Sequence, residues 1–316
     1  MDDRMRAIKY QSPKSIPIHM SLLPAAWLKY GERLQPIRAR HPRLFGEVSA
    51  GDEVKYYVPD RYRQGKHVDP WGCVWENIKE GYDAIVTGHP LPTRESVHSL
   101  RPPQEDAGIP HGFMFLRLTD LRGFEEMMVD FAEEPPELQM LLDIVRDYNL
   151  SQVPVVAAQT EGDMMYFGDD NGMQHALPIS PVKWRKYLKP CYTAIYKAAH
   201  DLGKLVYMHT DGCIFEVIPD MIECGVDVLN PQIRANGLDN LVRTCKGKVC
   251  INLDLDRQLF PFATPREIDD HVRECVEAMY LQEGGLMLTA ECAADVPLEN
   301  IEAICAAMEK YADFSA

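Results

Sequence analysis

Histidine, carboxylate and thiol fall within five residues at His209-Thr210-Asp211-Gly212-Cys213. Neutral imidazole, carboxylate oxygen and thiolate are all zinc ligands. The same run also reads as a histidine bonded to a nearby carboxylate, with Cys213 buried in the next helix. A second cluster, Gly168-Asp169-Asp170-Asn171-Gly172, sets two acids side by side. Adjacent carboxylates repel, so a cation, a ligand or backbone donors must compensate, and either acid then becomes a candidate proton donor. Asp, Asn and Gly are equally good turn formers, and a turn alone accounts for the composition. A third cluster, Thr289-Ala290-Glu291-Cys292-Ala293, adds another thiol and another acid. Its alternative is a small buried cysteine. The fourth, Asp69-Pro70-Trp71-Gly72-Cys73-Val74-Trp75-Glu76-Asn77, offers Trp71, Trp75 and Asn77 as a surface for a planar ligand, or two tryptophans as loop anchors.

Three of these clusters directly follow short apolar runs: Met164–Phe167, Leu205–Met208 and Leu286–Leu288. Further runs are Pro17–Leu23, Ala84–Val86, Phe113–Leu118, Val153–Ala158, Val226–Leu229 and Val249–Leu253. They are too short for most helices and rich in the residues of buried strands. Amphipathic segments alternate with them, and Ser180-Pro181 and Thr264-Pro265-Arg266-Glu267 carry helix-start signals. Strand–helix repetition implies parallel strands covered by helices. An open doubly wound sheet and an eight-stranded barrel both satisfy it. The absence of G-x-G-x-x-G after a strand and the number of strand-like runs favour the barrel. The expected fold is α/β, a single (β/α)8 TIM-type barrel spanning residues 1–316. Residues 1–110 supply an N-terminal extension and the first βα units with long loops. In such a barrel the strand ends converge on one mouth, where the clusters would meet.

The bulk properties narrow the function. With 33 basic and 48 acidic residues the net charge is −15, which repels phosphate backbones; nucleic acid is a poor partner. No apolar run approaches the ~18 residues of a membrane span, and MDDRMRAIKY lacks a signal-peptide core. Nine scattered cysteines, an odd number in a long chain, fit reduced thiols in a cytoplasm.

Residues 209–231, HTDGCIFEVIPDMIECGVDVLNP, resemble a signature segment of the uroporphyrinogen decarboxylase superfamily, H-x-(C/D)-G followed by a helix and G-(V/A)-D. The resemblance continues through YFGDDNGMQHALPISPVKWRKYLKP and GGLMLTAECAADVPLENIEAICAAMEKY, in order over residues 160–311. It implies a TIM-type barrel and one of two chemistries. One is decarboxylation of a tetrapyrrole's acetate arms. The other is zinc-dependent methyl transfer involving a corrinoid held by a partner protein. The decarboxylases carry an arginine-rich R-Q-A-G-R segment near the N-terminus, and PIHMSLLPAAWLKYGERLQPIRARHPRLFG stands in its place. The chain is therefore more similar to the corrinoid-dependent methyltransferases, of O-demethylase type, which act on methylated small molecules such as methoxylated aromatics. A non-catalytic barrel that binds a corrinoid or tetrapyrrole is a further alternative.

By that resemblance the metal ligands are His209 and Cys292, with Asp211 in the position of the usual middle cysteine and Glu291 as a neighbouring ligand. Asp169, Asp170 and Asp211 are the acid candidates; Trp71, Trp75 and Asn77 are the substrate-binding candidates. Zinc, a corrinoid (cobalamin) on a partner protein, and a methylated small molecule complete the expectation. A homodimer is compatible with it.

Overall fold

The computed structural model describes residues 1–48, 56, 58–104 and 106–314. Nine strands occur among them: β1 Ile18–Leu22, β2 Gly65–Val68, β3 Val74–Asn77, β4 Ile85–Gly88, β5 Met164–Gly168, β6 Leu205–Thr210, β7 Val228–Pro231, β8 Cys250–Asp254 and β9 Leu286–Cys292. The chain forms two compact units. One comprises residues 1–65, 77–84 and 232–316, the other residues 66–76 and 85–231.

In the first unit β1, β9 and β8 lie side by side in parallel, with Ile18 beside Leu288 and Leu22 beside Cys292. β9 is buried at six of its seven positions, as expected of a strand covered on both faces. Helix Leu298–Ala312 packs against β9 and against helix Pro265–Met279, with Ile268, Val272, Val276, Ile301, Ile304 and Met308 buried. Thr264 and Glu267 form the expected reciprocal cap on the first of them.

In the second unit β7, β6 and β5 are likewise parallel. The register sets Gly168, His209 and Asn230 next to one another across the three strands. β2, β3 and β4 form a separate three-stranded sheet, in which β3 and β4 are antiparallel. The core of this unit is aromatic: Phe113, Phe131, Trp184, Tyr192 and Tyr196 are almost wholly buried and pack ring against ring. The architecture is α/β of TIM type, with six parallel strands described and helices alternating with them.

Two strand-like runs fall on helices, and a third is a strand that lies outside the parallel sheet. Ala84–Val86 contributes to β4 of the antiparallel sheet. Val153–Ala158 lies in the helix Pro136–Gln159, because burial at Leu141, Leu142, Val145, Tyr148, Gln152, Val153 and Ala157 follows a helical period through the run and past Pro154. Phe113–Leu118 opens the helix Phe115–Arg122, whose first amides are capped by Asp169, 53 and 54 residues away. Pro181 starts a helix as expected, with a wider turn at Trp184–Leu188 before Lys189-Pro190. A proline two residues into the continuing helix lacks an N–H, and the wider turn accommodates it.

Candidate active site

The loops after β5 and β6 are zipped together by their backbones. Asp169 N–H donates to His209 O at 3.0 Å, Gly172 N–H to Asp211 O at 3.1 Å, and Cys213 N–H to Met173 O at 2.7 Å. The Thr210 hydroxyl accepts from Asn171 N–H at 3.1 Å. The approach demands glycine: a Cβ on Gly212 would lie 2.2 Å from the Gly172 carbonyl carbon, and Gly212 has φ +83°. The turn-former composition of both clusters thus has a concrete cause, two backbones in contact.

Adjacent acids in the first loop do different jobs. Asp169 is fully buried and accepts from Phe115 N–H at 2.6 Å, Leu116 N–H at 2.9 Å and the Tyr192 hydroxyl at 2.6 Å. Burial pushes its carboxyl up, against three bonds that favour the ionised form. Asn171 extends the network by accepting from Trp184 Nε1–H at 2.8 Å and donating to Asp169 O at 2.8 Å. Asp170 points the other way. Its Oδ1 accepts from Asp211 N–H at 3.0 Å, and its Oδ2 lies 3.1 Å from His111 Nε2.

His209 is held at both nitrogens. Nδ1 is 2.7 Å from Asn230 Oδ1, its register neighbour on β7, and Nε2 is 3.2 Å from Asp211 Oδ1. Burial opposes its charge, but Asp211, with Asn230 and Asp170, outweighs burial and raises the imidazole to about 9. The His111 ring sits 5.7 Å away, centre to centre. It occupies space left by Gly168, where a Cβ would stand 2.4 Å from His111 Nδ1. Burial pulls the His111 pKa down, the Asp170 carboxylate pulls it up more strongly, and the net shift is upward. Ligating atoms of His111, Asp170 and His209 lie within 4.8 Å of one another. Two imidazoles and a carboxylate at such spacing make a candidate metal centre.

The structure therefore brings together Asp170, His209 and Asp211 from the expected set, with Asp169 behind them as the group that fixes a helix. His111 and Asn230 were not among the expected residues. Asn230-Pro231 does close an apolar run, a signal of the kind that marked the others; His111 precedes an apolar stretch read as a strand, so nothing local marked it. Cys213 is buried beside the second loop, and burial raises its thiol.

Glu291 and Cys292 belong to the other unit. Cys292 is fully buried, and its thiol is pushed well above the ordinary range by burial, with Cys305, Asp295 and Glu291 adding to the effect. Glu291 accepts from Arg257 Nη1 at 2.6 Å and lines a cleft of about 580 Å³ together with Arg234, Asp256 and Asp295. Two arginines of the N-terminal region in this unit are tied to carboxylates: Arg40 to Glu302 at 2.6 Å and Arg43 to Asp313 at 2.8 Å.

The tryptophan loop is organised by Asp69. Its carboxylate accepts from Trp71 N–H, Cys73 N–H, Trp75 Nε1–H and Arg117 Nη1, at 2.6–3.1 Å. Trp71 is buried edge-on against Tyr148. Asn77 donates to Tyr82 O at 2.6 Å and accepts from Lys79 N–H at 2.8 Å, so its polar atoms close a turn.

Parallel strands whose C-terminal ends carry a histidine–carboxylate cluster define a TIM-type enzyme-like scaffold. The family model described as uroporphyrinogen decarboxylase (URO-D) matches residues 115–311, more than half of the chain. The chain belongs to that family. A solved methyltransferase from Methanosarcina mazei shares its fold with a TM-score of 0.67 at 16% identity, covering 98% of each chain. A Vibrio harveyi GH20 exo-β-N-acetylglucosaminidase aligns with a TM-score of 0.43 at 10% identity over 95% of this chain and 55% of that one. A Xanthomonas albilineans dihydropteroate synthase gives 0.33 at 13% identity over 48% and 57%. No curated protein matches by sequence.

Proposed function

We propose that this protein is a methyltransferase that moves a methyl group between a methylated small molecule, such as a methoxylated aromatic, and the cobalt of a corrinoid carried by a partner protein, with zinc assisting. The observation that carries the reading is the cluster at the ends of β5 and β6, where His209, Asp211, Asp170 and His111 meet. Neither loop contains an arginine or a lysine. Such a site suits a neutral or cationic substrate and a metal, and disfavours a polycarboxylate, because each unpaired buried carboxylate costs several kcal/mol. The M. mazei methyltransferase shares the fold over nearly the whole chain and is the relative whose chemistry this reading extends.

A methyl ether or amine releases its methyl group only if the leaving heteroatom is stabilised. Asn230 holds the His209 ring through Nδ1, so that Nε2, beside Asp211 Oδ1, is the atom that would carry a proton or a cation. Imidazole nitrogen and carboxylate oxygen are both ordinary zinc donors, so His209 with its carboxylate neighbours fits the metal. Bound there, zinc would polarise the leaving heteroatom as a Lewis acid. Asp211, about a third exposed, lies against His209 Nε2, and where that nitrogen carries a proton rather than a cation the pair is placed to pass it to that heteroatom. Asp170 holds the Asp211 backbone and His111, keeping both loops in register.

The family's name favours a second reading, decarboxylation of a tetrapyrrole. Purified protein assayed with cob(I)alamin against methoxylated aromatics and methylamines, and separately with uroporphyrinogen, decides between them. We expect methylcobalamin in the first assay and no carbon dioxide in the second. Porphyrinogen decarboxylation without methyl transfer would overturn the proposal.

A further inference from the structure

We infer that the chain holds its divalent cation in a thiolate-free centre made by His111, Asp170 and His209, all within one unit. Their ligating atoms already lie within 4.8 Å of one another. The geometry is built from several independent places. Strand register sets Asn230 beside His209 and fixes the ring through Nδ1, 2.7 Å away. A metal-ligating histidine is commonly oriented through its other nitrogen in this way. Glycine at 168, the register neighbour of His209 on the other side, leaves the space that the His111 ring fills. Asp170 is anchored by Asp211 N–H through one oxygen, while the other faces His111.

The resemblance to zinc methyltransferases would instead enlist Cys292. That side chain is wholly buried, and among the described residues the group whose ligating atoms converge within 4.8 Å does not include it. Cys213, the nearest thiol in sequence to His209, is buried as well, with its backbone N–H bonded to Met173. Two imidazoles and a carboxylate form a harder set than one containing thiolates. They accept Zn²⁺, Co²⁺ and Mn²⁺ on the strength of nitrogen and oxygen donors alone.

The inference concerns cation binding and stands apart from methyl transfer. Binding without methylation of cobalamin would leave it intact and remove only the functional reading. The test uses Co²⁺ as probe on the full chain stripped of metal. Stoichiometry comes from equilibrium dialysis, and absorption reports the donors, since a thiolate ligand produces a sulfur-to-cobalt charge-transfer band. We expect one Co²⁺ per chain, displaced by Zn²⁺, with no such band. His111→Gln and Asp170→Asn, both close in shape to the native residues, should each weaken Co²⁺ by at least the 10–100-fold typical of lost ligand support. Cys292→Ala and Cys213→Ala should leave both affinity and spectrum unchanged. A circular-dichroism melt of each variant without metal separates lost ligation from lost folding, and His111→Gln should melt within about a kcal/mol of wild type in stability. A charge-transfer band that disappears in either cysteine variant overturns the inference. So does undiminished affinity in a folded His111→Gln, or no stoichiometric binding by wild type.

Discussion

Replacing Asp169 by asparagine asks whether a buried charge holds the site's scaffold together. The carboxylate accepts three hydrogen bonds, from Phe115 N–H, Leu116 N–H and the Tyr192 hydroxyl. Oδ2 serves Phe115 and Tyr192, while Oδ1 serves Leu116. An amide keeps the size but offers one acceptor oxygen. If that oxygen takes the Oδ2 position, the NH₂ group faces the Leu116 N–H, donor against donor. An unsatisfied buried donor costs about 1–3 kcal/mol, and the surviving bonds lose their charge assistance. Against this, removing the charge recovers some of the desolvation that pushes the carboxyl up. The losses win by roughly 2–4 kcal/mol, equivalent to a fall in Tm of about 5–15 °C at the 2–4 °C per kcal/mol of larger domains. Thermal melts followed by far-ultraviolet circular dichroism give the stability. Hydrogen exchange at Phe115 and Leu116 should show the start of that helix loosened. A melt within about 1 kcal/mol of wild type, with both amides still protected, would refute it. That outcome would mean the carboxyl is already protonated in the native protein, which the amide then imitates.

Gly212→Ala drives a Cβ into the Gly172 backbone at a residue with φ +83°, so it should cost about 2–4 kcal/mol and weaken Co²⁺ binding; a melt and a dialysis titration check both. Arg117→Ala leaves the Asp69 carboxylate without its buried partner but with its three N–H donors, so we expect a loss of about 2–3 kcal/mol and a shift in tryptophan fluorescence from the loop. Glu134 is held down to about 2 by Lys186, Tyr187 and Lys183. Its folded pKa lies below the unfolded value of about 4.5, so its contribution is present above pH 4.5 and fades as pH falls towards 2. Glu134→Gln should flatten the acid limb of a stability–pH curve over that window, and an unaltered limb would contradict the assignment.

The second half of the chain was largely legible from its residues, and the reason is local. Short apolar runs closed by Gly and Asp are parallel strands with their loops, and β5, β6, β8 and β9 lie where the runs do. Thr264 and Ser180 cap their helices through adjacent backbone, so their signals needed no tertiary context. Phe115–Arg122 shows the opposite case. Its cap is supplied by Asp169 from far along the chain, and without it Phe113–Leu118 has only the composition of a strand. The site divides in the same way. His209, Asp211 and Asp170 were readable because each follows an apolar run. His111 was not, since its place beside Asp170 depends on a missing side chain at Gly168. Trp71 and Asn77 had the right chemistry for a ligand surface, but their neighbours turn them inward: Asp69 gathers the loop, and Asn77 closes a turn. Residue type alone carries no information about which way a side chain points.

Methyl transfer at the His209 cluster, as proposed, is open to one direct measurement. Metal-loaded protein is mixed with cob(I)alamin and a methoxylated aromatic or methylamine, and methylcobalamin formation is followed by absorbance for wild type and for His209→Ala and Asp211→Asn. Wild type should turn over at least one methyl donor, and each variant should lose about 10²-fold or more, the scale on which a positioned acid acts. Equal rates in all three proteins would contradict it, as would methylcobalamin appearing only at the rate of the protein-free control.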